Sequence, residues 1–300
     1  MFTMPYDAPP WRPPSEAHSV LIRVTRGCPW NKCAFCSMYK DMKFQVKELE
    51  DIRMDLGVAA QLYGREASTL FIGDSDSLVM KVGFLLEVLR LIRKHFPSLK
   101  RITSYTRGRT LAKRKIEDLI RLREAGLTRL HAGLETGDPS LLKYIRKGLT
   151  PQEMIEGGTK AIEAGLQLSL YVLLGIGGED RWEDHARETA RVLNAVSPHF
   201  IRLRTFIPIP GTLMYKRIQE GEFRSALPLT VLKETRLILE NLECPSLFLS
   251  DHVSNYASIE GRLPHDQKRM LEELDSFIGE LESSPTLLSL LQERHRGIHL

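Results

Sequence analysis

The chain has little cysteine, few aromatics and no long apolar run, and each shortage narrows what it can be. Four cysteines in 300 residues, three in one short stretch and Cys244 alone, do not make a disulfide framework. A reducing, cytoplasmic setting is expected. No apolar run approaches the roughly 20 residues of a membrane span, and Met1-Phe2-Thr3-Met4-Pro5 lacks the charged and apolar regions of a signal peptide. No membrane partner is therefore expected. A net charge of +4 is mild for this length, so nucleic acid is not indicated. There is no repeat and no low-complexity linker. With 42% hydrophobic and 27% charged residues, what is left is an ordinary soluble globular enzyme composition.

The main pattern is an alternation of short strands and helices. Residues 1–17 carry Pro5, Pro9, Pro10, Pro13 and Pro14 and read as an extended arm. Strands are expected at 18–25, 69–73, 100–106, 128–135, 166–174 and 199–206, with helices near 46–63, 79–95, 111–125, 140–146, 151–164 and 181–195. Six strands, each followed by helix, predict an α/β fold with a parallel sheet and right-handed crossovers. A doubly wound sheet and a barrel-like sheet both satisfy this alternation. Past residue 207 the pattern changes to helices near 212–220, 228–242 and 264–282, with a short strand around 247–250.

The stretch Arg26-Gly27-Cys28-Pro29-Trp30-Asn31-Lys32-Cys33-Ala34-Phe35-Cys36 follows the first strand directly, so three thiols lie on the loop at its carboxyl end. A four-iron cluster takes four cysteines when fully protein-ligated; three leave one iron open. Structural zinc is the competing reading, but zinc takes four ligands and the loop has three, with no histidine inside it. The stretch resembles the cluster loop of the radical S-adenosylmethionine (radical SAM) superfamily, whose usual spacing is Cys-x3-Cys-x2-Cys with an aromatic residue before the last cysteine. Here Phe35 keeps that place, and the first gap is one residue longer.

The resemblance implies a partial (β/α)6 TIM-like barrel over residues 18–210, preceded by the arm at 1–17 and capped by a helical segment at 211–300. It implies a [4Fe–4S] cluster on Cys28, Cys33 and Cys36, with S-adenosylmethionine at the open iron. Electron transfer into the sulfonium would give a 5′-deoxyadenosyl radical that abstracts hydrogen from a substrate. A cellular reductant such as flavodoxin or ferredoxin is implied as a partner. By the same resemblance Gly73 and Asp74, after the second strand, stand where the cofactor's amino group is met. Glu135 stands in the region of its ribose and carboxylate, and Gly175 and Gly177, in Gly175-Ile176-Gly177-Gly178-Glu179, beside its adenine. A dinucleotide fingerprint fails there, because Asp180 occupies the third glycine position of G-x-G-x-x-G. The overall look is nearest the group containing oxygen-independent coproporphyrinogen oxidases and the elongator catalytic subunit.

The strand faces add candidates of their own. Apolar residues alternate with Arg23, His131, Glu135, Ser169, Tyr171, Arg202 and Arg204. In a barrel the apolar set packs outward on helices, which directs these polar groups inward, where burial is costly unless something satisfies them. The two readings are a polar cavity for ligand and strands wet at an open edge. Arg202 and Arg204 suit the cofactor's carboxylate or an anionic substrate, since guanidinium binds carboxylate through two parallel bonds; a surface ion pair is the plain alternative. In Ser250-Asp251-His252-Val253-Ser254-Asn255-Tyr256, His252 and Asn255 are candidates for substrate contact or proton transfer, or else polar residues bonding backbone. Tyr171 is a third candidate.

With Cys244 alone remaining, the chain has no cysteine set for a second cluster and not the two further cysteines that some radical methylation routes need. No cobalamin-binding domain is expected within these 300 residues. The substrate, small or macromolecular, is not legible. An iron–sulfur electron-transfer protein that leaves S-adenosylmethionine intact is the alternative from another class.

Overall fold

The computed structural model describes residues 6 and 11–296. Its strands are β1 (Val20–Arg23), β2 (Thr25–Arg26), β3 (Gln45–Val46), β4 (Thr69–Gly73), β5 (Arg101–Thr106), β6 (Arg129–Glu135), β7 (Gln167–Leu174), β8 (Phe200–Thr205), β9 (Leu247–Leu249) and β10 (Glu260–Arg262). Eight form one sheet in the order β1-β4-β5-β6-β7-β8-β9-β10, and β2 and β3 form a separate antiparallel hairpin. All six strands expected from the sequence are present and the sheet is mostly parallel, with β10 antiparallel to β9. No pairing closes β1 onto β10 among the described residues.

The helices are α1 (Leu49–Tyr63), α2 (Val82–His95), α3 (Gly108–Lys113), α4 (Ile116–Glu124), α5 (Pro139–Tyr144), α6 (Pro151–Glu163), α7 (Gly178–Val196), α8 (Leu213–Gln219), α9 (Pro228–Glu240), α10 (Gln267–Ser283) and α11 (Pro285–Arg296). Two differ from expectation for visible reasons. The helix expected from residue 79 begins at Val82, because Ser77–Val79 is a 3-10 turn. The helix expected over 111–125 is two helices, broken where Arg114 and Lys115 adopt extended backbone. There the Arg114 guanidinium is bonded to the carbonyls of Leu78 and Met80. The proline-rich segment is not wholly extended either: Pro14–Glu16 is a 3-10 turn, proline at its first position supplying the φ the turn needs. Residues 1–5 and 7–10 of the expected arm lie outside the described residues.

The chain forms two compact units: residues up to 31 with 38–132 and 156–168, and residues 32–37 with 133–155 and 169–300. In the first, β1, β4, β5 and most of β6 carry a core built on Ile22, Leu70, Phe71 and Ile72, all fully buried. Leu85, Val88, Leu89 and Ile92 recur at helical spacing on α2, so one stripe of it is buried. In the second, α9 packs against α7 and α10. Glu234 of α9 is fully buried, accepts from the Gly175 amide at 2.9 Å and lies 3.2 Å from His185 Nε2.

Candidate functional site

Each of the two units carries part of the loop that follows β1. In the first, Gly27 turns the chain with φ +78°, a conformation costly for any residue with a side chain. The Asp74 carboxylate, at the end of β4 and fully buried, accepts from Gly27 N–H at 3.1 Å and from Arg23 Nε at 3.2 Å. Ser75 Oγ donates to Gly27 O at 2.9 Å. Asp74 is thereby the post on which the loop's entry is fixed. Cys28 Sγ accepts from Asn31 N–H at 3.4 Å, and the guanidinium of Arg107 lies 5.1 Å from the Trp30 ring centre.

In the second unit, Cys33-Ala34-Phe35-Cys36 is held by backbone and by packing. Ala34 N–H donates to Ile145 O at 2.8 Å, and Met214 N–H donates to Ala34 O at 2.9 Å. Phe35 packs against a cluster that includes Ile145, Ile176, Phe206 and Met214, with Lys147 Nζ 6.0 Å from its ring centre. Cys28, Cys33 and Cys36 are partly buried and in no disulfide. Phe35 is thus an anchor for the loop; the anchoring partners Ile145, Lys147 and Met214 have no signal in the cysteine motif itself.

Glu135, at the end of β6, adopts φ +65° and bonds Lys147 Nζ at 2.5 Å. Any Cβ on Gly133 would collide with Glu135 Oε1, so glycine there makes room for this ion pair. Gly175 follows β7 with φ +74°, and a Cβ on Gly177 would meet the Arg181 carbonyl oxygen at 2.9 Å. On β7 and β8, Tyr171 is in register with Arg202 and Leu173 with Arg204. Arg204 lies 5.0 Å from the Tyr171 ring centre. Arg202 is buried and 3.6 Å from Asp251, yet its Nε has no acceptor among the described residues. Ser169 Oγ, fully buried on β7, is unpartnered as well.

The segment after β9 is tied back to β8. Asn255 Nδ2 donates to Leu203 O at 2.9 Å and to Ser250 Oγ at 3.0 Å, while its Oδ1 accepts from Thr205 Oγ1 at 3.1 Å. His252 Nδ1 lies 2.7 Å from Ser254 Oγ and accepts from Ser254 N–H at 3.2 Å. Burial, and then the nearby Arg204 charge, push His252 down to about 4, so its imidazole is neutral at physiological pH.

The strand-face expectation needs correction. Arg23 is paired with Asp74, Glu135 with Lys147, and Arg204 stacks on Tyr171. Fully buried His131 lies 3.5 Å from Glu16 Oε1, which comes from the proline-rich segment. Much of the polar face is satisfied from within the protein, because partners far away in sequence fold onto it.

The Radical SAM superfamily model matches residues 22–190. The chain belongs to the radical SAM superfamily. It is 24% identical over 198 residues to an uncharacterized methyltransferase of Pyrococcus horikoshii, covering 65% of this chain and 41% of that protein. It is 33% identical over 119 residues to biotin synthase of Clostridium botulinum, covering 40% and 36%. The chain thus spans less than half the length of these curated relatives. Among solved structures, coproporphyrinogen III oxidase of Escherichia coli superposes with a TM-score of 0.58 at 18% identity, over 74% of this chain and 52% of that one. Methylornithine synthase superposes at 0.53 and 18% identity, over 88% and 85%.

The superfamily is one of enzymes, and its cofactors are a [4Fe–4S] cluster and S-adenosylmethionine. The donor set fits such a cluster: three thiols free of disulfides, on a loop held at both ends by buried contacts. Among the described residues no three of His, Cys, Asp and Glu gather as a single ion would require. A cubane takes one thiolate at each iron corner and does not need that convergence. No helix among the described residues is long and apolar enough to cross a membrane.

Proposed function

We propose that Cys28, Cys33 and Cys36 hold the cluster and that the enzyme performs hydrogen-abstraction chemistry on its substrate. When bound, the cluster supplies the electron that splits S-adenosylmethionine into methionine and the 5′-deoxyadenosyl radical that takes the substrate's hydrogen. The chain's own part is to fix and shield these groups. Asp74 holds the loop at Gly27 and thereby sets where Cys28 stands, while Gly73 offers backbone to the cofactor's amino group. Glu135, paired with Lys147, accepts from ribose hydroxyls. Gly175 and Gly177 let backbone approach the adenine, since a side chain at either would be strained or would meet backbone.

Arg202, with a buried donor to spare, binds a carboxylate, and Arg204 stacked on Tyr171 flanks it. Neutral His252 accepts or relays a proton, and Asn255 positions that segment against β8. The reductant is a small electron carrier such as flavodoxin or ferredoxin, and the setting is the cytoplasm.

The observation carrying this reading is the trio of partly buried, uncrosslinked thiols on the loop after β1, anchored by Asp74 and by Phe35. Anaerobic reconstitution with iron and sulfide, followed by a strong reductant and S-adenosylmethionine, tests it. Formation of 5′-deoxyadenosine, lost in Cys33→Ala, is expected. A reconstituted cluster with intact S-adenosylmethionine would contradict it.

A further inference from the structure

A cleft of about 480 Å³ opens in the first unit beyond the carboxyl ends of β4 and β5. Its apolar lining is Pro29, Leu78, Val79 and Met80, and the rest of the lining is Thr110 and cations. Five cations line it, Lys81, Arg107, Arg109, Lys113 and Arg114, and no Asp or Glu is among the described residues that do. Four of the five fall within the eight positions 107–114, where α3 and the break after it bring them together.

Gathering like charges this closely costs stability unless an anion compensates. Two of them are also held in place. The Arg114 guanidinium is bonded to the Leu78 and Met80 carbonyls, and Arg107 rests on Trp30. Lys81 and Lys113 are exposed at the rim. The nearby carboxylate, Asp76, is fully buried and bonded to the hydroxyls of Thr106 and Thr110, and it partly offsets Arg107 and Arg114, with Asp118 also acting on Arg114; the cations still outnumber these carboxylates. In open α/β sheets ligands bind beyond the carboxyl ends of the strands. The volume falls within the roughly 300–1,000 Å³ range of small-molecule sites, smaller than a macromolecular docking face needs. Pro29 belongs to the cysteine loop, so an occupant of this cleft touches the loop that carries Cys28.

We propose that this cleft is a subsite for a multiply charged small anion, holding the phosphate or carboxylate groups of the substrate. Its assignment to substrate rests on the function proposed above; the binding itself does not. Guanidinium and ammonium groups recognise both anions, guanidinium through paired bonds and ammonium as a point charge.

The test is calorimetric titration of the full-length, anaerobically reconstituted protein with tripolyphosphate, with citrate and with a single-stranded dodecathymidylate. Saturable binding of tripolyphosphate or citrate is expected, the preferred one identifying the source of charge. Binding should weaken at least about tenfold in Lys81→Glu/Lys113→Glu and persist in Lys81→Arg/Lys113→Arg. Thermal unfolding of each variant reports that the fold is kept. Failure of both small anions to bind, equal binding by the glutamate variant, or tighter binding of the oligonucleotide would overturn the proposal. Formation of 5′-deoxyadenosine is assayed separately, so a failed anion site and a failed radical chemistry give different results.

Discussion

His131 on β6 and Arg202 on β8 occupy similar places in the sequence pattern, polar residues alternating with apolar ones near the middle of a strand. Their surroundings differ. Around His131 a charged cluster is gathered from within the protein: Glu16 lies 3.5 Å from its Nε2, accepts from Ser19 Oγ at 2.6 Å and pairs with Arg101 at 3.3 Å. Around Arg202 a buried Nε and the buried Ser169 hydroxyl have no partner among the described residues. A buried polar group with buried charged partners of its own belongs to the fold's stability, whereas Arg202, whose one ion-pair partner Asp251 stands 3.6 Å away and is exposed, has room for a ligand to complete its bonds. The difference teaches that burial of a charge is not by itself a sign of function; what charged partners the fold has placed beside it matters.

Three substitutions break or sharpen that contrast. The largest effect is expected from Glu16→Ala. It strands His131 and Arg101 and should cost about 3 kcal/mol, lowering the midpoint of thermal unfolding by roughly 6 °C or more. An unchanged midpoint would mean that the buried cluster is not holding the proline-rich segment. Arg202→Met should do the opposite, removing an unsatisfied donor while keeping the stem. The unfolding midpoint should hold or rise slightly, while turnover of the natural substrate falls at least about tenfold. A fall in stability with activity retained would reverse the assignment.

The smallest effect is in the pH dependence. Burial alone would raise Glu16, but hydrogen bonds from His131 and Ser19 and the charge of Arg101 outweigh it and hold the carboxyl at about 2. The unfolded chain therefore takes up this proton first, and Glu16 contributes stability above about pH 4.5 that is lost as pH falls towards 2. Asp76 has the opposite sign: burial pushes it up to about 6 despite bonds from Thr110 and Thr106. Its ionisation penalises the folded state, and stability rises as pH falls through 6 towards 4. Denaturant unfolding from pH 7 to pH 3 should show a shallower acid loss in Glu16→Gln and a steeper one in Asp76→Asn. Parallel profiles for both variants and the parent would refute these assignments.

The cysteine loop and the six parallel strands were legible because both are local. Three thiols within nine positions declare themselves, and alternation over six to eight residues reads as strand whatever surrounds it. What was not legible depends on distant partners. The closing of His131 needs Glu16, 115 positions earlier, and the basic cleft joins residue 29 to 78–81 and 107–114. The break between α3 and α4 has the same origin, since a helical pattern over 111–125 yields where Arg114 is tied to two carbonyls from another segment. Glu135 and Gly175 were visible as candidates, but their positive φ values, and the Lys147 and Glu234 partners that go with them, were not.

The central claim is that three cysteines hold an iron–sulfur cluster with one iron left for S-adenosylmethionine. Electron paramagnetic resonance of the reconstituted, reduced protein tests it directly. The account predicts a reduced four-iron signal whose g-values shift when S-adenosylmethionine is added, and loss of that signal in each of Cys28→Ala, Cys33→Ala and Cys36→Ala. A signal indifferent to S-adenosylmethionine, or protein that carries zinc and no iron, would contradict it.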